Sequence, residues 1–197
     1  PKLDRWHKSP TAVLGGIGIF LATIIPVVFL QHFNSKIIGF LISSIIIFLW
    51  GVGDDLFGLK PHVKLLGQII TGCVAIYFGI VLKITPLIPL NILLTIIWIV
   101  GITNAFNLLD NMDGLSCGIA AIATFMLFLS SLSYGGQILS IVSLALCGAA
   151  LGFLPYNFNP ARIFMGDSGS MFLGFSIAAV AITKDMPRGH IYNLIAT

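Results

Sequence analysis

Seven apolar runs, near 13–30, 37–53, 65–82, 87–103, 114–134, 138–155 and 169–183, leave this chain almost no choice of solvent. A helix needs about 20 apolar residues, within a range of roughly 17 to 25, to cross a bilayer, and its backbone groups must then be satisfied internally. Hydrophobic residues make up 57% of the chain and charged residues only 9%, whereas soluble domains are roughly a quarter charged. Too little polar surface is left to clothe a water-facing globule. The pattern predicts an all-α, polytopic transmembrane bundle of about seven spans, one integral membrane domain over 1–197. The first run is not a signal peptide, because it opens on Gly15-Gly16 and six more runs follow. No basic block or aromatic-interleaved basic stripe is present, which argues against nucleic acid as a partner. Cys73, Cys117 and Cys147 lie in or beside apolar runs without CxxC spacing and read as small buried hydrophobes.

Alternating spans sort the connecting segments into two sets. One holds the N-terminal segment, 54–64, 104–113 and 156–168, with Lys2, Arg5, Lys8, Lys60, Lys64 and Arg162. The other holds 31–36, 83–86, 135–137 and the C-terminal tail, with Lys36, Lys83, Lys184 and Arg188. The excess of cations places the first set in the cytoplasm. All seven acids are Asp, and six of them, Asp4, Asp54, Asp55, Asp110, Asp113 and Asp167, fall on that same side. Only Asp185 lies opposite.

Each acidic segment has an ordinary reading as well as a chemical one. Asp54-Asp55 closes the second run and could simply be solvated at the interface or cap the next helix; adjacent carboxylates repel, so one of them needs a proton, a cation or a metal. Asn104, Asn107, Asp110 and Asp113 step by three, which puts them on one face or neighbouring faces if the segment is helical; a cap before the fifth span is the plainer alternative. Met165-Gly-Asp-Ser-Gly-Ser170 opens the seventh run. There Asp167 or Ser168 suits an N-cap, and the glycines would let a phosphate approach a helix N-terminus. Arg5-Trp-His7-Lys8 precedes the first run, either as a membrane anchor or as a counter-charge for phosphate. The five carboxylates of these three acidic segments, converging on one face, require cations, and Mg²⁺, with Mn²⁺ as substitute, suits carboxylates, water and substrate phosphates. Metal-dependent phosphate chemistry at a membrane surface is the expectation.

The Asp54-Asp55 pair, the Asn104-Ala-Phe-Asn107-Leu-Leu-Asp110 segment and the Met165–Ser170 segment, in this order, resemble the polyprenyl-phosphate N-acetylhexosamine-1-phosphate transferases (glycosyltransferase family 4). The resemblance runs from Arg5 to Gly174 and is similar most of all to the undecaprenyl-phosphate GlcNAc-1-phosphate transferases. It implies transfer of a sugar-1-phosphate from a UDP-sugar to a polyprenyl phosphate, with release of UMP, at the cytosolic face of a bacterial membrane and in cell-envelope glycan synthesis. It assigns Asp167, with Asn107, to the metal, and Asp54 and Asp55 to catalysis. Lys8, Asn104, Asn107, Asp110, Asp113 and Phe164 go to the substrates, with Phe164 stacking on uracil. A homodimer is the assembly to test.

The stretch Gly53–Gln68 favours the GlcNAc branch. Pro10-Thr-Ala-Val-Leu-Gly15-Gly16 departs from the MurNAc-pentapeptide branch, and Asn111 stands where the family commonly has Gly. Family members have about ten or eleven spans, so this sequence is expected to lack an N-terminal span and a C-terminal His-containing loop with its spans. A MurNAc-pentapeptide-1-phosphate transferase, a cation-coupled transporter and an inactive paralogue are the competing readings. Transporter acids sit typically near the bilayer midplane, whereas these cluster at span ends.

Overall fold

The computed structural model describes residues 15–30, 33–134 and 137–183. Among them lie seven α-helices and no β-strand: α1 (Gly15–Leu30), α2 (Ser35–Phe57), α3 (Pro61–Tyr77), α4 (Ile88–Leu109), α5 (Leu115–Tyr134), α6 (Gln137–Asn157) and α7 (Gly166–Thr183). Five of these, α2 and α4–α7, are long and apolar enough to cross a membrane, while α1 is apolar but shorter. The chain is an integral membrane helical bundle.

Helix ends depart from the apolar runs where local chemistry decides them. Asn34 starts α2, its side chain accepting the Ile37 N–H at 3.0 Å. At the far end α2 continues past the apolar run as far as Phe57, so Asp54 and Asp55 stand on its last turn and not in a loop. The stop is Gly58, at φ 63°, whose N–H reaches back to the Asp54 carbonyl at 2.8 Å; the left-handed conformation suits glycine. Pro61 then opens α3 four residues ahead of its apolar run, because a first-turn proline has no N–H to leave unpaired. The expected loop at 54–64 thus shrinks to 58–60. α4 likewise extends through Asn104 and Asn107 to Leu109, with Asp110 as its C-cap.

The helices run up and down, bringing one end of each to a common face. There the Gly15 and Gly16 N–H groups donate to the Phe164 and Met165 carbonyls at 3.1 and 3.0 Å, and Asn157 accepts the Gly114 N–H at 3.2 Å. The core is built around α7, which packs most extensively on α2 and α4 and also touches α1, α5 and α6. Fifteen of its eighteen residues are buried. Lipid offers no hydrophobic drive for helices to associate, so close contact between small residues takes over. Gly174 lies against the α4 backbone at Thr103 and Ile102, and Gly169 against Gly16 of α1. Aromatic rings fill the remaining width: Phe20 stacks on Phe48 at 4.1 Å and meets Phe172 edge-on at 5.2 Å. Cys117 and Cys147 are buried as expected, but Cys73 is exposed on the outside of α3, where an apolar side chain also suits lipid.

Candidate active site

The two adjacent aspartates of α2 point to different partners. Asp54 is 3% exposed; its Oδ1 accepts the Leu59 N–H at 2.7 Å and its Oδ2 pairs with the Lys64 ammonium. Asp55 reaches across to α7, where Oδ1 accepts the Asp167 N–H at 2.8 Å and Oδ2 the Ser168 N–H at 3.0 Å. The cation required by the pair is therefore Lys64 on one side and the positive end of α7 on the other. Either Asp167 or Ser168 was expected to cap α7; the cap comes instead from a carboxylate more than a hundred residues earlier. That carboxylate also takes the N–H groups where a phosphate was expected to sit.

Backbone proximity makes this cap reachable. A Cβ on Gly51 would lie 2.5 Å from the Ser168 Cα, and one on Gly16 2.5 Å from the Gly169 N. Gly166 turns the chain into α7 at φ 72°, a conformation few other residues adopt. Closely approached by α1 and α2, the first turn of α7 presents Asp167 to the neighbouring helices.

Asp167 is the meeting point. The Lys64 ammonium lies 3.4 Å from its Oδ2, so one lysine bridges the carboxylates of α2 and α7. From α4, the Asn107 amide donates to Asp167 Oδ1 and also to Ser170 Oγ, the latter at 3.0 Å. Asp54, Lys64, Asn107, Asp167 and Ser170 thus form one connected polar chain drawn from four helices. Lys64 and Ser170 were not among the sequence candidates. The signal for Lys64 was available: with Pro61 at the start of α3, it falls in the first turn and faces back toward the acidic end of α2.

The remaining candidates lie around this centre. Asn104 is one turn from Asn107 on α4, and its amide pairs reciprocally with Gln68 of α3. Asp110 is half-buried at the α4 C-cap, one turn beyond Asn107. Asp113 leaves the helical ladder, and its Oδ2 accepts from the Asn159 side chain at 3.1 Å and the Ala161 N–H at 3.0 Å. It ties the α4–α5 connection to the segment ahead of α7. Phe164 is 9% exposed, whereas nearby Phe158 is 64% exposed, so Phe164 as placed offers a base little open ring. Lys8 lies outside the described residues.

Among the described residues no three His, Cys, Asp or Glu side chains cluster as a ready-made metal cage. Mg²⁺ does not need one: it commonly takes one or two carboxylates and completes its shell with water and substrate phosphates. Asp54 and Asp167, brought together on a single ammonium, provide carboxylate oxygens that fit; the Asn107 amide turns its nitrogen to Asp167 and joins the donor set only by presenting its oxygen instead.

Residues 37–185 match the glycosyl transferase family 4 profile, well over half of the chain and every site residue named above except Lys8. The chain belongs to glycosyl transferase family 4. Among the curated family relatives, it is 35% identical over 192 residues to a probable undecaprenyl-phosphate N-acetylglucosaminyl 1-phosphate transferase of Bacillus subtilis, covering 92% of this chain and 54% of that protein. It is 33% identical over 216 residues to a decaprenyl-phosphate N-acetylglucosaminephosphotransferase of Mycobacterium tuberculosis, covering 95% and 53%. A phospho-N-acetylmuramoyl-pentapeptide-transferase of Carboxydothermus hydrogenoformans is 35% identical over 204 residues, covering 89% and 62%. The family 4 chain spans about half the length of the first two.

Proposed function

We propose that this family 4 chain carries the catalytic face of a phospho-N-acetylhexosamine transferase, moving GlcNAc-1-phosphate from its UDP donor to a polyprenyl phosphate at the cytoplasmic side of the membrane. The observation that carries this is the convergence of Lys64 and Asn107 on Asp167, on the end of the bundle whose connections the charge pattern of the sequence assigns to the cytoplasm. The names of the relatives supply the sugar and the lipid acceptor.

In the proposed reaction an oxygen of the lipid phosphate bonds to the phosphorus that bears the sugar. The bond from that phosphorus to the bridging oxygen breaks, and UMP leaves with the electron pair. A phosphate monoester has a second pKa of about 6, so the nucleophile is already mostly ionised at neutral pH and a base has little to remove. The work left to the protein is alignment and charge neutralisation. Lys64 brings a cation between Asp54 and Asp167 and can turn its ammonium toward an arriving phosphate. Asp55 acts at one remove, by fixing the first turn of α7 and with it Asp167. Asp167 with Asp54, and the Asn107 amide through its oxygen, would hold Mg²⁺, which would supply charge neutralisation to the diphosphate. Asp110, Asp113 and the N-terminal Lys8 are assigned to the nucleotide-sugar.

The test is UMP release by membranes containing the complete gene product, given UDP-GlcNAc and undecaprenyl phosphate with and without Mg²⁺, beside Asp167→Asn. Lipid- and Mg²⁺-dependent release lost in the variant supports the proposal. Release only with UDP-MurNAc-pentapeptide moves the chain to the other branch, which the third relative keeps in view. Silence with every UDP-sugar from folded protein refutes it.

A further inference from the structure

Below the site, one helical turn deeper in the bundle, the structure holds a second polar contact that the chemistry just described does not use. Gln68 Nε2 donates to Asn104 Oδ1 at 3.0 Å, and Asn104 Nδ2 donates back to Gln68 Oε1 at 2.7 Å. The Asn104 amide donates as well to the Val100 carbonyl at 2.9 Å, four residues back on its own helix. Both hydrogens of the Asn104 amide nitrogen are therefore committed, and its oxygen already accepts one bond. Gln68 is 1% exposed. A buried primary amide is retained at a cost unless it is fully paired, and here each amide answers the other.

The placement of this pair is what gives it a function. Gln68 lies four residues after Lys64 on α3, and Asn104 three residues before Asn107 on α4; both spacings stack side chains on one helix face. The upper residues of the two helices, Lys64 and Asn107, meet on Asp167 of α7. The lower residues, Gln68 and Asn104, meet each other. Two rungs result, the upper one reaching Asp167 and the lower one joining α3 directly to α4. Lys64 is also held to Asp54, but that contact lies within the α2–α3 hairpin and says nothing about where α3 sits against α4 and α7.

We propose that Gln68 and Asn104 are a positioning pair: their reciprocal amide contact sets the register of α3 on α4 and so holds the Lys64 ammonium against Asp167. This rests on the transferase reading for its kinetic consequence, but not for its geometric one. Asn104 on this account acts through Lys64 and Asn107 rather than on the nucleotide-sugar.

The experiment uses the complete gene product in membranes, with Gln68→Leu, Asn104→Leu, the single exchanges Gln68→Asn and Asn104→Gln, and the double exchange. The first readout needs no activity. A carbodiimide joins an ammonium to a touching carboxylate, and mass spectrometry of the digest gives the ratio of Lys64–Asp167 to Lys64–Asp54 cross-links. That ratio is expected to fall at least fivefold in both leucine variants and in the single exchanges, and to return within twofold of the unaltered protein in the double exchange. The second readout is UMP release. A displacement of about 1 Å in a site can cost on the order of 100-fold in rate, so kcat is expected to fall 10- to 100-fold in the same variants, with KM for the UDP-sugar moving less than threefold, and to recover in the double exchange.

A cross-link ratio unchanged by Gln68→Leu overturns the proposal, and so does a double exchange no better than its singles. A KM rise without a kcat loss in Asn104→Leu also overturns it, by returning Asn104 to the substrate. If the unaltered protein releases no UMP, the transferase reading fails, while the cross-link ratio still decides the positioning pair.

Discussion

Gly51→Ala adds a single methyl group where α2 crosses the first turn of α7, and its consequence can be worked from distances. The new Cβ would stand 2.5 Å from the Ser168 Cα and 2.8 Å from both the Asp167 carbonyl oxygen and the Ser168 nitrogen. These are backbone atoms, with no rotamer to turn aside. Ordinary contact begins near 3.4 Å, so the helices must separate by roughly 0.9 Å. The Asp55 cap spans this same crossing, with bonds of 2.8 and 3.0 Å. The same separation takes both beyond 3.5 Å, where they cease to be hydrogen bonds. Over-packing alone costs about 1–3 kcal/mol of stability, and a catalytic group moved by about 1 Å costs on the order of 100-fold in rate, equivalent to about 2.7 kcal/mol. Two residues along the same helix, a Cβ on Gly53 meets nothing within 4 Å, so Gly53→Ala is the matched control. Thermal unfolding in detergent and UMP release from the complete protein should separate the two: Gly51→Ala less stable and about 100-fold slower, Gly53→Ala close to the unaltered protein. Gly51→Ala with a rate within threefold of the unaltered protein, or a Gly53→Ala equally damaged, would refute the claim that this crossing sets the position of Asp167.

Lys64→Met leaves Asp54 and Asp167 facing one another without their shared cation. Its side chain is 25% exposed, so the loss should be roughly 2–3 kcal/mol, below the range for fully buried pairs; added Mg²⁺ should raise the melting temperature of this variant more than that of the unaltered protein. Asp55→Ala strands two α7 N–H groups and should cost about 2 kcal/mol by the same thermal assay, with Asp55→Asn, which keeps an acceptor but no charge, falling between. Gly166→Ala forces a side chain to adopt φ 72° and should cost about 1–2 kcal/mol. Asp113→Ala removes two bonds to the 159–161 segment, at about 1 kcal/mol each; a melting temperature that does not move would show that the α4–α5 connection holds that segment by other means.

The helices could be read from the sequence because membrane-length apolar runs admit little else. Their ends could not, where the deciding residue was a glycine or proline beyond the run: Gly58 lets α2 carry Asp54 and Asp55, and Pro61 draws Lys64 into α3. The step of three from Asn104 through Asn107 to Asp110 was legible, since all three stand at the helical end of α4; Asp113 lies beyond the helix, which no periodicity could have shown. The least legible parts are the contacts across the bundle. Nothing local to Asp55 indicates that it will cap a helix beginning at Gly166, and nothing local to Gln68 points to Asn104. Such pairings depend on which helices lie side by side, and that depends on the small residues that let α7 into the middle.

The burial of α7 also bears on how the protein is made. Of the five membrane-length helices it is the least hydrophobic, opening with an aspartate among glycines and serines, and therefore the least suited to partition into lipid unaided. It also follows the other six described helices in chain order, and synthesis delivers the N-terminal elements first. By the time α7 leaves the insertion machinery, α1 to α6 can already be in the bilayer, offering glycine-lined backbone and the Asp55 carboxylate in place of acyl chains. Gene order thus works as an assembly instruction: the helix that carries Asp167 arrives when its berth already exists.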